Sequence, residues 1–284
     1  MNTTVHALRM GGARGLLEFR AFLTNRQDVV SNLMTSGTLL AVLYFLQSAA
    51  ADGTSLTAGT VSLPGVLGML VATSGLIGTA MLLATEREDG TLLRAKALPR
   101  GMLGYLVGKV VSQSLVILMN ILVVLVPGLF LFDGLTGGLA SGWPTLVWVL
   151  ALGLAATLPI GAVLGSLFES PRTVGGVGML PIMGLIGISG IFGPVTVLPV
   201  WVQAIAQVFP MYWLGLGMRS ALLPDAAAAL EIGGSWRHLE TAGVLGVWAL
   251  AGLVVAPFVL RRMARRESGS AVEARRQRSV QRVG

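Results

Sequence analysis

The sequence predicts an all-α membrane protein with six transmembrane helices, an N-terminal interfacial helix and a re-entrant helical hairpin between spans 5 and 6. Of its 284 residues, 54% are apolar and only 12% are charged, about half the charged fraction of a soluble domain. The chain contains 38 glycines, a residue common where membrane helices pack closely. Cysteine is absent, which excludes disulfides and thiolate metal sites.

Long stretches without charged residues locate the spans, because a helix needs about 20 apolar residues to cross a bilayer. The predicted spans are 29–50, 62–85, 108–132, 143–168, 173–193 and 241–260. The segment 198–223 is also apolar, but Pro199 and Pro210 divide it into pieces too short to cross. We therefore predict that this segment enters the external leaflet and returns, with its backbone groups satisfied by surrounding protein.

The basic residues predict that both chain ends lie in the cytoplasm. Cytoplasmic segments are enriched in Lys and Arg, and six crossings place 18 of the 20 basic residues on that side. A seventh crossing would move the Arg-rich end of the chain outside. The predicted organisation is an interfacial helix over 1–28, a spanning domain over 29–260 and a basic cytoplasmic tail over 261–284.

The two terminal segments have simple interpretations. Leu16, Phe19 and Leu23 share one helical face of the first segment, which predicts a helix in the membrane interface; a solvated arm is the alternative. The tail is rich in Arg, Ser, Gln and Glu and is interpreted as an orientation signal with some affinity for anionic lipid. No aromatic residue accompanies this charge, so nucleic-acid binding is not predicted.

The sequence contains no catalytic constellation and no metal-binding or cofactor-binding motif. The string nearest to a nucleotide-binding loop, Gly104 to Val110, has the wrong spacing and lacks the Ser or Thr that holds magnesium. Acidic residues are absent from the predicted span interiors, which disfavours an ion-driven transporter. The chain is therefore predicted not to be an enzyme, and any pumping must draw energy from another polypeptide.

The first predicted cytoplasmic loop, 86–107, is the most informative segment. Acidic residues precede basic residues along it. This order favours a short helix, because acidic side chains near the first turn and basic side chains near the last turn offset the charges of the helix dipole. Gly90 is expected to bend this helix and Pro99 to end it. Such a charged helix is a plausible docking surface for a cytosolic protein; a solvated loop that merely anchors two spans is the alternative.

Two motifs in the predicted loops carry a family resemblance. The first comprises Glu86-Arg-Glu-Asp-Gly-Thr-Leu92, then Leu98-Pro99-Arg100 and Gly108-Lys109, with Leu93 at a position that is often acidic. The second comprises Ser189-Gly190, Pro194, Leu198-Pro199-Val-Trp201-Val-Gln203, Phe209-Pro210 and Gly217-Met-Arg219. They resemble the E-R-E-x-G-T-L motif and the S-G…P…L-P-x-W-L-Q…P…L-R block of ABC-2-type exporter permeases, most of all the daunorubicin-resistance type.

This resemblance implies a type V exporter fold and a permease that pairs with itself or a near relative above two ATP-binding subunits. ATP and magnesium would bind those partner chains, with no cofactor on this one. The loop 86–107 would then be a coupling loop that, with the interfacial helix, carries movement into the spans. The implied coupling residues are Glu86, Arg87, Glu88, Asp89, Gly90, Thr91 and Arg94. The alternative for Glu86 and Arg87 is that they only cap the second span.

Polar and glycine residues within the spans are candidates for a substrate path or a seam between two copies. Polar groups inside a bilayer need partners, so they either touch a substrate or bridge helices. The resemblance implies that the first and fifth spans line the subunit interface. The candidates are Ser31, Thr35, Thr38, Gln113, Asn120, Gly184, Gly187, Ser189 and Gly190. Gly161 and Gly165 form a GxxxG pair, which is expected to serve ordinary packing.

The resemblance implies export, and the apolar spans favour a lipophilic drug, antibiotic, lipid or natural product as substrate. Arg outnumbers Lys by 18 to 2, a bias typical of bacterial genomes of high GC content, which favours a bacterial cell membrane. Two alternatives stay open at this point. A lipid or prenyl transferase would need clustered carboxylates, for which Glu86, Glu88 and Asp89 are the candidates. A passive channel is the other.

Overall fold

A computed structural model of the chain describes residues 3–46, 57–97, 101–168, 170–191 and 193–266. Within these ranges all the regular structure is helical and there is no β-strand. The helices are α1 (Thr3–Thr24), α2 (Arg26–Leu46), α3 (Ala58–Glu88), α4 (Thr91–Lys96), α5 (Gly101–Leu131), α6 (Leu135–Leu167), α7 (171–187), α8 (Val200–Val208), α9 (Pro210–Leu222) and α10 (His238–Arg266).

Five of the described helices are long and apolar enough to cross a membrane: α2, α3, α5, α6 and α10. The chain is therefore an all-α, multi-pass membrane protein. The predicted fifth span, 173–193, corresponds to α7, which is about 25 Å long at 1.5 Å per residue and so lies near the lower limit for a crossing. The count of six crossings stays a prediction.

Several helices extend beyond the predicted spans. The predicted loop 86–107 is largely helical, because α3 continues to Glu88, α4 follows, and α5 begins at Gly101 rather than at 108. α6 likewise begins at Leu135 rather than at 143, and α10 runs into the basic tail. Charged residues mark where an apolar stretch ends, whereas a helix can continue into water. Parts of the predicted first span (47–50), coupling loop (98–100) and basic tail (267–284) lie outside the described ranges.

Helix α9 lies at the centre of the bundle, packed between α3 and α6. Every residue from Pro210 to Arg219 is buried. The backbones of α3 and α9 cross so closely that a Cβ on Gly68 would lie 2.9 Å from the amide nitrogen of Gly215. Glycines allow this close approach between membrane helices. The second half of the segment 198–223 is thus enclosed by protein, as its short length requires.

Helices α3 and α7 each contain one π-helical turn, at Ser74–Gly78 and Val174–Gly178, and the two turns are in contact. The GxxxG pair of α6 packs against the first of these turns and the residues that follow it. A Cβ on Gly161 would lie 2.2 Å from the carbonyl oxygen of Gly75, and one on Gly165 would lie 2.7 Å from that of Ala80. The expected packing role of this pair is confirmed.

Helix α1 packs lengthwise on the first half of α5. Gly11 and Gly15 face Gly104 and Gly108 across this contact, and a Cβ on Gly15 would lie 2.5 Å from the carbonyl oxygen of Gly108. The far side of α1 is exposed, with Leu16 among its apolar residues. α1 is thus a docked helix with one side against protein, and its place in the membrane interface stays a prediction.

Candidate functional site

The acidic motif forms a sharp turn between α3 and α4; we call residues 86–97 the elbow. Gly90 has a φ of +75°, a left-handed conformation that glycine adopts without steric cost. The side chain of Asp89 accepts a hydrogen bond of 2.8 Å from the amide of Thr91, and Arg94 donates one of 2.9 Å to the Thr91 hydroxyl. The chain therefore bends where the sequence places Gly90, and local hydrogen bonds stabilise the start of α4.

On the inner side of the elbow, Glu86 belongs to a cluster that we call the Lys109 junction: Arg14, Glu18, Glu86, Tyr105 and Lys109. Glu86 is 8% exposed and forms an ion pair with Lys109. The Tyr105 hydroxyl donates to Glu86 at 2.5 Å. Lys109 Nζ also lies 2.7 Å from a carboxylate oxygen of Glu18, which accepts a hydrogen bond of 2.9 Å from Arg14. The junction therefore pairs two carboxylates with two cations.

Arg87 ties the elbow to the end of α6. Its guanidinium donates to the carbonyl oxygens of Ser166 and Phe168 at 3.3 and 2.9 Å. The last carbonyls of a helix lack intrahelical partners and carry partial negative charge, so a cation there is stabilising. Glu86 and Arg87 therefore do more than cap α3, because they connect it directly to α5 and α6 and, through Lys109, to α1.

The outer side of the elbow is different. Asp89 and Arg94 are exposed, and Glu88 and Thr91 are half-buried. Within the described ranges, the side-chain hydrogen bonds of Asp89 and Arg94 are local, within the turn and the first turn of α4. The sequence-predicted coupling residues thus divide into an inner set bound to the bundle and an outer set that presents charge at the surface.

The polar candidates of the spans have different surroundings. Asn120 of α5 accepts a hydrogen bond from Asn32 of α2, so it bridges two helices. Ser31, Thr35 and Thr38 are all exposed on α2. Gln113 is half-buried and also lies on α5. Asn32 was not predicted from the sequence as a site residue, although an Asn inside an apolar stretch is a usable signal.

Helix α7 has an uncovered face. Gly184 and Gly187 are exposed, and a Cβ on either would meet no atom within 4 Å. Leu180, one helical turn earlier, is 71% exposed. The remaining candidates of this region are instead internal: the Ser189 hydroxyl bonds the carbonyl of Ile186 at 2.7 Å.

Gly190 belongs to a second buried polar cluster, next to α9. Arg219 is 4% exposed and Glu231 is 6% exposed. Arg219 Nε and Nη2 lie 2.5 and 3.3 Å from the two carboxylate oxygens of Glu231, and Nη1 donates to the Gly190 carbonyl at 2.8 Å. One guanidinium therefore connects the end of α7, α9 and the loop before α10. Glu231 was missed from the sequence because its partner lies on another element.

The described residues hold no group of three His, Cys, Asp or Glu side chains placed to bind a metal ion. Within the elbow, Glu86 points into the Lys109 junction while Asp89 caps the next helix. These carboxylates therefore serve separate contacts rather than one site.

Comparison with known families agrees with the two motifs. The family described as ABC-2 type transporter matches residues 16–223 of the chain, a range that includes the elbow, Lys109 and all of α9. A comparison with curated proteins finds no match. Because the family match covers well over half of the 284 residues, the chain belongs to the ABC-2 type transporter family and is a membrane component of an ABC transporter.

Proposed function

We propose that the chain is the permease subunit of an ATP-driven exporter in a bacterial cell membrane, with both termini in the cytoplasm. It would move a lipophilic drug, antibiotic, lipid or natural product out of the cell, as in multidrug efflux or antibiotic resistance. Two separate ATP-binding subunits would supply the energy. Family membership supports the permease role. The observation that carries the coupling role is the two-sided elbow.

The division of the elbow suits a docking element. Its inner residues Glu86 and Arg87 connect α3 to α5 and α6, so a force on the elbow reaches the bundle. Its outer residues Asp89 and Arg94 are exposed, and exposed charges contribute little to folding stability. Apart from their hydrogen bonds to Thr91, these charges are available to a partner.

The uncovered faces of α2 and α7 support a second permease copy, identical or closely related. Gly184 and Gly187 leave open space on α7, and glycine faces permit close packing of membrane helices. Thr35 and Thr38 expose hydroxyl groups on α2. We propose that these faces form the seam between two copies and border the substrate path.

The coupling role is tested by co-expression with a cognate ATP-binding subunit. We expect the two chains to co-purify and the permease alone to hydrolyse no ATP. Reversing both outer charges, with Asp89→Arg and Arg94→Glu, is expected to abolish co-purification. Glu240→Arg reverses an exposed charge on α10. It is the matched control and should retain co-purification. A monodisperse native permease that recruits no ATP-binding subunit contradicts the proposal.

The seam is tested by disulfide cross-linking, since the native chain has no cysteine. A single cysteine at Gly184 is expected to form a covalent dimer in membranes under mild oxidation. Val247 is 66% exposed on α10, and a cysteine there serves as the lipid-facing control. Equal cross-linking at both positions would indicate random collision and would remove the support for a seam on α7.

A further inference from the structure

The Lys109 junction joins three elements that lie far apart in the chain. Lys109 is on α5, Glu18 is on α1, and Glu86 is at the inner side of the elbow. Lys109 contacts both carboxylates, whereas Arg14 pairs with Glu18 within α1. Among the described residues, the ion pairs that connect α1 to the elbow therefore run through Lys109.

Burial makes this connection dependent on the lysine. Glu86 is 8% exposed and Tyr105 is 2% exposed, and a carboxylate with so little access to water is costly unless it is paired and hydrogen-bonded. Without the ammonium group, Glu86 would keep the hydrogen bond from Tyr105 but lose its counter-ion. Glu18 and Glu86 would then share a site without the cation between them, and their mutual repulsion would favour separation of α1 from the elbow.

The backbone contacts of α1 lead to α5. Gly11 and Gly15 pack closely against Gly104 and Gly108, which holds the two helices together. Tyr105 joins α5 to the elbow through its hydrogen bond to Glu86, and the lysine adds ion pairs that connect both α5 and α1 to it. A compact charge on a flexible four-carbon stem suits that task, because it can follow two carboxylates as they shift.

We propose that Lys109 is a positioning residue that fastens the elbow to α1, so that both move as one body when ATP-binding subunits act on the elbow. The source of that movement rests on the proposed function. The link itself is a property of this chain. The two parts can therefore be tested separately, first on the permease alone and then on the complex.

The first test measures the distance between spin labels on the purified permease. Ala13 of α1 and Ala97 at the end of α4 are both exposed, and cysteines placed there are the only thiols in the chain. We expect a narrow distance distribution in the native background and a broad one with Lys109→Met. Lys109→Arg, which retains the charge, should restore the narrow distribution. Arg14→Met removes a cation that pairs with Glu18 and lies over the Tyr105 ring but leaves both ion pairs of Lys109 in place. It is therefore the matched control and should leave the distribution narrow.

The second test uses the complex with its ATP-binding subunits. Lys109→Met should lower the permease-dependent stimulation of ATP hydrolysis by about fivefold or more. Recovery of the complex and the KM for ATP should not change, because the outer charges of the elbow are intact. Lys109→Arg should restore the stimulation. If Lys109→Met does not fold, Glu86→Gln removes the ion pair between Lys109 and the elbow without leaving a buried unpaired carboxylate. Lys109 keeps Glu18 and no carboxylate repulsion arises, so smaller effects in the same direction are expected.

The inference would be overturned if Lys109→Met kept a narrow distance distribution and native stimulation of ATP hydrolysis. It would also be overturned if Lys109→Arg broadened the distribution and lowered the stimulation as much as Lys109→Met does. A native permease that recruits no ATP-binding subunit would remove the proposed function instead. In that case the label distances still decide whether Lys109 holds the elbow to α1.

Discussion

The buried pair of Arg219 and Glu231 gives the sharpest stability prediction. Glu231→Gln keeps the shape of the side chain and one acceptor oxygen but leaves the Arg219 guanidinium without a counter-ion. Both partners are at most 6% exposed, so water cannot replace the lost charge. Removing one partner of such a buried pair costs about 3–5 kcal/mol.

The expected effect on thermal unfolding follows from this cost. A chain of this size loses about 2–4 °C in melting temperature per kcal/mol, so Glu231→Gln should lower it by roughly 6–20 °C. The measurement is thermal unfolding of the purified protein in detergent. Glu240→Gln is the matched control, because Glu240 forms an exposed ion pair of 3.4 Å with Arg237, and no measurable change is expected.

A double variant separates the lost charge from a general loss of packing. Arg219→Met combined with Glu231→Leu removes both charges, and apolar replacements of a buried pair are often neutral or stabilising. We therefore expect the double variant to have a higher melting temperature than Arg219→Met alone or Glu231→Leu alone. A single variant that melts within about 2 °C of the native chain would refute the reasoning, because it would mean that water reaches the pair.

Three further changes test local packing. Gly15→Ala should lower the melting temperature and speed proteolysis of α1, because its Cβ would lie 2.5 Å from the Gly108 carbonyl and overpacking costs about 1–3 kcal/mol; Gly12→Ala, which meets open space, should do neither. Asn120→Leu should cost about 0.6–1.7 kcal/mol in thermal unfolding by removing the hydrogen bond between α2 and α5, and a change near zero would contradict the bridge. Gly90→Ala should reduce co-purification with the ATP-binding subunit by straining a residue with a φ of +75°; native recovery would show that the elbow tolerates the strain.

The elbow shows what a motif can and cannot predict. The bend was predictable, because Gly90 follows an acidic helix end and glycine adopts positive φ readily. The inward position of Glu86 was not, because it depends on a partner on α5, which in turn binds Glu18 at a separation of 91 residues. No local pattern encodes contacts at that distance. The same holds for Arg219 and Glu231: Arg219 belongs to the second motif, but nothing in the sequence pairs it with Glu231.

The glycine pairs illustrate the same division. Gly11 and Gly15, like Gly104 and Gly108, stand four residues apart in the sequence, a spacing that marks a face able to approach another helix closely. Spacing alone does not select the partner of such a face. In the fold these two faces meet each other, whereas Gly184 and Gly187 of α7 meet no other part of the described chain.

The sequence by itself determined that this protein is a multi-pass helical membrane protein, since a bilayer admits long apolar stretches only as structures that satisfy their own backbone. It also carried the two motifs of its family. The tertiary structure decided which charges hold the bundle together and which remain at its surface. Pairing of buried charges depends on distances of a few ångströms between elements far apart in the chain, and only packing sets those distances.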